Sequence, residues 1–173
     1  MTVSLYTATV PQFRQLLTQV GRLIDKAEAF CGERGIAPDE IVEARLHEDM
    51  LPFAYQVKST AVHSIGAIRG VEAGLFTPDR TTPPADFAGL RRLIEETIVT
   101  LAALDPAAVD ALAERDMRFE AGPRRLDFTG AGFLLSFSMP NFYFHATTAY
   151  GILRSRGVAL GKMDYIGRPA VKG

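Results

Sequence analysis

At 173 residues, with 47% hydrophobic and 23% charged residues, the chain suits one domain with a sizeable core and is too apolar to be disordered. Its 19 basic and 20 acidic residues leave a net charge of −1, which excludes the basic footprint of a nucleic-acid binder. No apolar run approaches ~18–20 residues without a charge or a break, so no membrane span is expected.

The opening MTVSLYTATV lacks the basic region and apolar core of a signal peptide. The single cysteine, Cys31, follows Ile24 and Ala27 on an apolar helix face and reads as a buried small hydrophobe. A lone cysteine cannot form an internal disulfide, which fits a reducing, cytoplasmic setting.

The first helix is expected to begin near Thr9–Pro11, since proline is tolerated in a first turn. Phe13, Leu16, Leu17, Val20, Leu23, Ile24, Ala27 and Phe30 form its stripe, and Gly35 supplies the stop. Pro38 opens the next segment, with Asp39 and Glu40 well placed against the helix dipole. A second long pattern runs through Met50, Ala54, Val57, Ala61, Ile65, Ile68 and Glu72. Pro52 interrupts it and predicts a kink or a fresh start between His47 and Phe53. Its opposite side carries Ser59, Gly66, Gly70 and Gly74, small enough for another helix to approach closely.

Leu75 to Ala85, LFTPDRTTPPA, reads as a loop. Asp86 is the expected N-cap of a third helix that turns Phe87, Leu90, Ile94, Ile98 and Leu101 inward. Asp105–Pro106 opens a short helix reaching about Arg115, and Met117–Glu120 with Arg125–Phe128 form a hairpin about Gly122–Pro123. Thr129 caps the last long helix, in which Phe133, Phe137, Phe144, Thr148 and Ile152 recur at helical spacing. Pro140 lies inside that pattern and predicts a kink. Arg154, Arg156 and Gly157 make a basic last turn and stop, and the tail VALGKMDYIGRPAVKG is too irregular for a further helix. The expected architecture is all-α, one domain over residues 1–173. It is an antiparallel up-down-up-down four-helix bundle, with a short helix and a small β-hairpin before the last helix.

The chain has no glycine-rich phosphate loop, CxxC, HExxH or GxSxG. Three histidines remain. His47 and His63 are 16 residues apart in one segment, so ~24 Å apart if it is helical throughout, and one zinc needs each nitrogen at ~2.0–2.1 Å. His63, beside Ser59 and Gly66, reads as a packed or half-exposed histidine. Asp49 reads either as a cap for a helix restarting at Pro52 or as a pocket carboxylate. Asn141 and His145, four residues apart on one face of the most apolar helix, are the best candidates for chemistry, as a satisfied core pair or as a ligand-facing pair. Tyr143 and Tyr150 read as packing residues with their hydroxyls at the rim.

PNFYFHATTAYGILRSRGVALGKMD, Pro140 to Asp164, and LHEDMLPFAYQV, Leu46 to Val57, resemble an uncharacterised bacterial domain-of-unknown-function family of the DinB/YfiT-like superfamily. The resemblance covers most of the chain and implies an antiparallel four-helix bundle, often dimeric. The superfamily holds a divalent metal with three histidines, one from the second helix and two, spaced i and i+4, from the last. His145 matches the second of that closing pair, but Asn141 stands where its partner belongs. On the second helix His47 is near the expected place, while the branch pattern Leu-x-x-Asp-Met-x-Pro contains Asp49. The three-histidine site is therefore not intact.

The first functional reading is a non-metallic polar pocket of Asp49, Asn141, His145 and Tyr150 for a small organic ligand. The second is a hydrolase or thiol-transferase type of enzyme holding zinc or nickel through His47, His145 and a carboxylate. A third is a non-catalytic dimeric interaction module. A homodimer is expected in each case, because the apolar faces exceed what three neighbouring helices cover.

Overall fold

The computed structural model describes residues 3–171, so the last two residues of the tail, like the first two of the chain, lie outside it. It is mostly helical, with one small three-stranded sheet. Helix α1, Leu5–Arg34, starts one turn earlier than its proline suggested. Ser4 is the N-cap, its hydroxyl accepting the Thr7 amide, and Pro11 sits inside the helix on an exposed face. Gly35 ends it with φ 65°, the left-handed conformation glycine adopts at no steric cost.

After the short α2, Pro38–Val42, the chain passes Pro52 and starts afresh. The second long helix is continuous through α3 (Phe53–Ala61), a π turn (Val62–Gly66) and α4 (Ala67–Ala73). His47, Asp49 and Met50 thus precede the helix rather than lie on it, and Asp49 does not cap it: Pro52 is the N-cap residue, without a side-chain bond. The small-residue side of this helix receives a strand, not a helix. A Cβ on Gly70 would lie 2.9 Å from Phe76 Cδ2, so glycine lets β1, Leu75–Phe76, pack against the helix.

Phe76 belongs to the stretch read as pure loop, yet β1 pairs in parallel with β2, Asp116–Ala121. The expected hairpin extends it: β2 pairs antiparallel with β3, Arg124–Thr129, and Gly122 at φ 59° makes the turn. Inward Phe119 meets Phe76 and Phe137 at centroid distances of 6.3 and 4.8 Å, which anchors the sheet on the helices. Helix α5, Phe87–Ala102, is capped by Asp86 as expected, and α6, Pro106–Asp110, by Asp105.

The last long helix runs through α7 (Gly130–Gly132), a second π turn (Phe133–Ser138) and α8 (Met139–Ser155), with Thr129 as N-cap. Pro140 has no N–H to give, and a widened turn before it accommodates the missing bond. Gly130 is obligatory for a packing reason: a Cβ there would run into the Leu112 carbonyl. The tail, read as irregular, carries a short helix α9, Lys162–Ile166. Asp164 holds it, accepting from its own N-cap amide, Gly161 N, at 2.7 Å and from Lys26 Nζ on α1 at 2.7 Å.

Helix α1 packs on α5 and α8, and α3 packs on α5 and α8. Phe13, Phe53, Phe133 and Phe142 fill the centre with no exposed surface, and Cys31 is buried as expected. Its thiol is pushed up by burial and then by Glu40 and Glu28, which keeps it inert. No described helix is long and apolar enough to cross a membrane.

Candidate functional site

A cavity of about 220 Å³ opens between the second and last long helices, beside the sheet. Its polar lining is Tyr55, Ser59, His63, Asp79, Asn141 and His145; its apolar lining is Val62, Phe76, Pro78, Phe119 and Phe137. Asn141 and His145 are therefore brought together here, as their spacing suggested. His63 joins them from the second helix, its ring stacked on that of His145 at 5.5 Å between centroids and 17° between planes.

The other sequence candidates go elsewhere. His47 and Asp49 lie in the exposed turn before Pro52 and bond to each other, Nδ1 to Oδ1 at 2.6 Å. Their side chains keep 66% and 80% of their surface, so neither reaches the cavity. Of the two expectations for Pro52, a kink or a fresh start, the structure has the fresh start, and this leaves His47 and Asp49 in the turn before the helix. Tyr150 packs edge-on against Tyr165 of α9, 5.9 Å between centroids, because the tail folds back over that part of α8. Of Asp49, Asn141, His145 and Tyr150, the structure thus brings only Asn141 and His145 to this cavity, together with His63. The metal set of His47 with His145 is not assembled.

The hydrogen bonds around these groups fix where their protons sit. Gln56 Nε2 donates to the Leu51 carbonyl at 2.8 Å, so Gln56 turns its Oε1 to His145 Nδ1, 2.7 Å away. An amide oxygen only accepts, hence His145 carries its proton on Nδ1 and leaves Nε2 with a bare lone pair. Ser138 Oγ, at the end of the second π turn, donates to the His63 carbonyl at 3.0 Å. Its hydrogen is thereby committed, so the 3.3 Å contact to His63 Nδ1 is one in which His63 donates. Asn141 Nδ2 donates one of its two hydrogens to the Phe137 carbonyl at 2.7 Å, which leaves a second N–H and the acceptor Oδ1. The two imidazoles therefore keep a bare Nε2 each, and Asn141 keeps Oδ1 as an acceptor beside its one uncommitted N–H.

Electrostatics keep them so. Burial pulls His145 down to about 4, and His63 also to about 4, by burial first and by the neighbouring His145 second. At neutral pH both rings are uncharged. The wall opposite is the proline-rich loop, strapped to the helix by Lys58. That side chain is only 7% exposed, with Nζ 3.0 Å from Asp79 Oδ1 and 2.5 Å from the Thr81 carbonyl. Partial burial raises the Asp79 carboxyl, but bonds from Thr81 and Lys58 outweigh it and hold the group below the usual carboxylate range. Nothing in the sequence singles out Asp79 or Lys58. His63 carried one signal: unlike His47, it follows Pro52 and so lies within the helix proper.

Residues 5–166 match the family described as Domain of unknown function (DUF1993). The chain belongs to the DUF1993 family. This DUF1993 chain is also similar to a solved structure described as a DinB family member protein from Shewanella denitrificans, with 31% identity and a TM-score of 0.83. The likeness covers 98% of this chain and 95% of that one. Among curated proteins nothing matches.

A divalent metal, which the DinB resemblance implies, fits the donor set incompletely. The cavity offers two imidazoles, a neutral amide oxygen and the Asp79 carboxylate, which Lys58 and Thr81 already engage through Oδ1. Among the described residues no group of three or more His, Cys, Asp or Glu side chains is arranged to hold an ion. Zinc sites take at least three nitrogen, sulfur or carboxylate ligands from the protein.

Proposed function

We propose that this DUF1993 chain binds a small organic molecule in the cavity between His63, Asn141 and His145, through donors on the ligand. The observation that carries this reading is the set of acceptors, the Nδ1 protons of both imidazoles being committed to Gln56 and Ser138 and one Asn141 hydrogen to the Phe137 carbonyl. A cavity of about 220 Å³ takes a single ring with a short polar substituent, since a ~150 Å³ apolar cavity accepts benzene. The phenyl faces of Phe76, Phe119 and Phe137 supply an apolar wall for such a body. Acid–base catalysis near neutral pH is disfavoured, because imidazoles that protonate only near pH 4 are weak bases.

Benzamide, a neutral ring with an N–H₂ donor, is the first probe. Titration at pH 7 is expected to move the Hε1 signals of both His63 and His145 with one saturating isotherm. Long-range proton–nitrogen spectra are expected to give Nδ1–H for both rings. An Nε2–H tautomer on either ring, or unmoved signals at saturating probe, removes the reading.

The metal-dependent alternative is favoured by one feature: imidazoles anchored through Nδ1 with Nε2 left bare are how proteins orient metal ligands. Asn141→His tests it. If the cavity keeps the superfamily's arrangement, the added imidazole joins His63 and His145, and zinc or nickel affinity is expected to rise at least ~100-fold over the parent. Asn141→His combined with His145→Ala is expected to return to the parent's level. Chelator competition reads both, and equal affinity in parent and Asn141→His rejects the alternative.

We further infer the up-down-up-down order of the four long helices, supported by the pairings of α1 with α5 and of α3 with α8 and by the DinB likeness. Homodimerisation is kept on the same footing. Leu135, Tyr143 and Phe144 leave apolar surface exposed on the last helix, a face that a second copy would cover. Light scattering of the parent and Phe144→Glu is expected to give a dimer and a monomer; a monomeric parent at tens of micromolar rules the dimer out.

A further inference from the structure

The cavity's chemistry leans to acceptors. His63 Nε2, His145 Nε2 and Asn141 Oδ1 each offer a lone pair, and Asn141 keeps one N–H. The one ionised side chain in its lining is the Asp79 carboxylate. The bonds that Asp79 accepts from Thr81 and Lys58 all fall on Oδ1, so Oδ2 keeps its lone pairs. No lysine or arginine lines the cavity, since the Lys58 ammonium is spent behind the loop on Asp79 and the Thr81 carbonyl. An anion entering here meets lone pairs and a carboxylate, with one Asn141 N–H and the Tyr55 and Ser59 hydroxyls to donate and no cationic side chain in the lining. The remaining walls are the aromatic rings of Tyr55, Phe76, Phe119 and Phe137, whose faces attract cations.

We propose that the cavity selects a primary ammonium carried on a compact apolar body, with its three N–H groups directed to His63, His145 and Asn141. This rests on the pocket proposed above and names its ligand class. A primary ammonium has three donors and no acceptor, which matches the three acceptors His63 Nε2, His145 Nε2 and Asn141 Oδ1. Its charge strengthens each hydrogen bond relative to a neutral amide, and Asp79, whose Oδ1 pairs with Lys58, keeps Oδ2 as a further acceptor in the lining. The cation is not repelled by the imidazoles, because both are neutral under ordinary conditions.

Three probes of nearly the same shape decide it: benzylamine, benzamide and benzoate, titrated at pH 7 and followed at the Hε1 signals of His63 and His145. Benzylamine is expected to bind about tenfold more tightly than benzamide, the gain of charge-assisted over neutral hydrogen bonds. Benzoate is expected to leave both rings unmoved. Asp79→Asn is expected to lower benzylamine affinity by a clearly larger factor than benzamide affinity, a split that mere loosening of the loop does not produce. Benzamide equal to or tighter than benzylamine overturns the ammonium assignment and leaves the pocket standing. Silence of both rings to all three probes overturns the pocket and the assignment together. Stoichiometric zinc binding by the parent that displaces benzylamine overturns the assignment in favour of a metal.

Discussion

Phe142→Ala is expected to destabilise the fold by ~3–5 kcal/mol, the usual cost of emptying a phenylalanine site in a core. Phe142 has no exposed surface and packs edge-to-face on Phe13 of α1 with 4.8 Å between centroids, so the cavity left behind has rigid helices on its sides. Phe144→Ala is expected to change stability by less than ~1 kcal/mol in the monomer, because Phe144 is 56% exposed. Chemical denaturation of the two variants side by side checks the contrast. A cost at Phe144 equal to that at Phe142 would mean that the last helix is turned about its axis from the orientation described here.

The sequence pattern pointed to Phe144 as the central phenylalanine, and the reason it misleads is the π turn. Phe133, Phe137, Phe144, Thr148 and Ile152 share a face only if the helix keeps ~3.6 residues per turn throughout. Over Phe133–Ser138 each residue advances less about the axis. The inward phase that an α-helix gives to positions 141 and 144 falls about one residue later, on Phe142 and on His145 with Ala146. Burial agrees: Phe142, Ala146, Ala149 and Leu153 have no exposed surface, while Phe144 faces out.

Lowering the pH from 7 to 4.5 is expected to destabilise the protein by several kcal/mol before carboxylates contribute. His63 and His145 stand at 6.5 when unperturbed and at about 4 in the fold. Between those values the unfolded chain binds the protons, so folding stability rises with pH and is lost as pH falls through that window. Each imidazole accounts for on the order of 3 kcal/mol, taking ~1.4 kcal/mol per pH unit of separation. The two do not simply add, since stacked rings that face each other take up protons as a coupled pair. Asp79, also held low, acts in a different window: its stabilisation is present above its unfolded value and is lost only as pH falls below that range. Urea titrations at pH 7, 5.5 and 4.5 measure the loss, with the double replacement His63→Gln and His145→Gln as control. That control is expected to be flat over the same interval, and an equal loss in it would assign the acid sensitivity to other groups.

The amino-acid sequence by itself determined the four long helical segments and most of their ends, though not the start of α1 or the short α9. Apolar spacing located the four long segments, and Asp86, Asp105 and Thr129 became the caps their chemistry suggested. Gly122–Pro123 fixed the hairpin, and Gly35 the end of α1, because turns and stops are local and depend on a few backbone angles. Asn141 and His145 were legible as neighbours for the same reason, lying on one helix with fixed spacing. Only the tertiary structure decided what stands opposite them. His63 comes from another helix, Asp79 from a loop more than 60 residues before Asn141, and Gln56 and Ser138 set the proton positions from two separate elements. Nothing in local spacing encodes which side chain of one helix meets which of another. That depends on how far each helix turns before it reaches the contact, and here a π turn in each of the two helices changes the count.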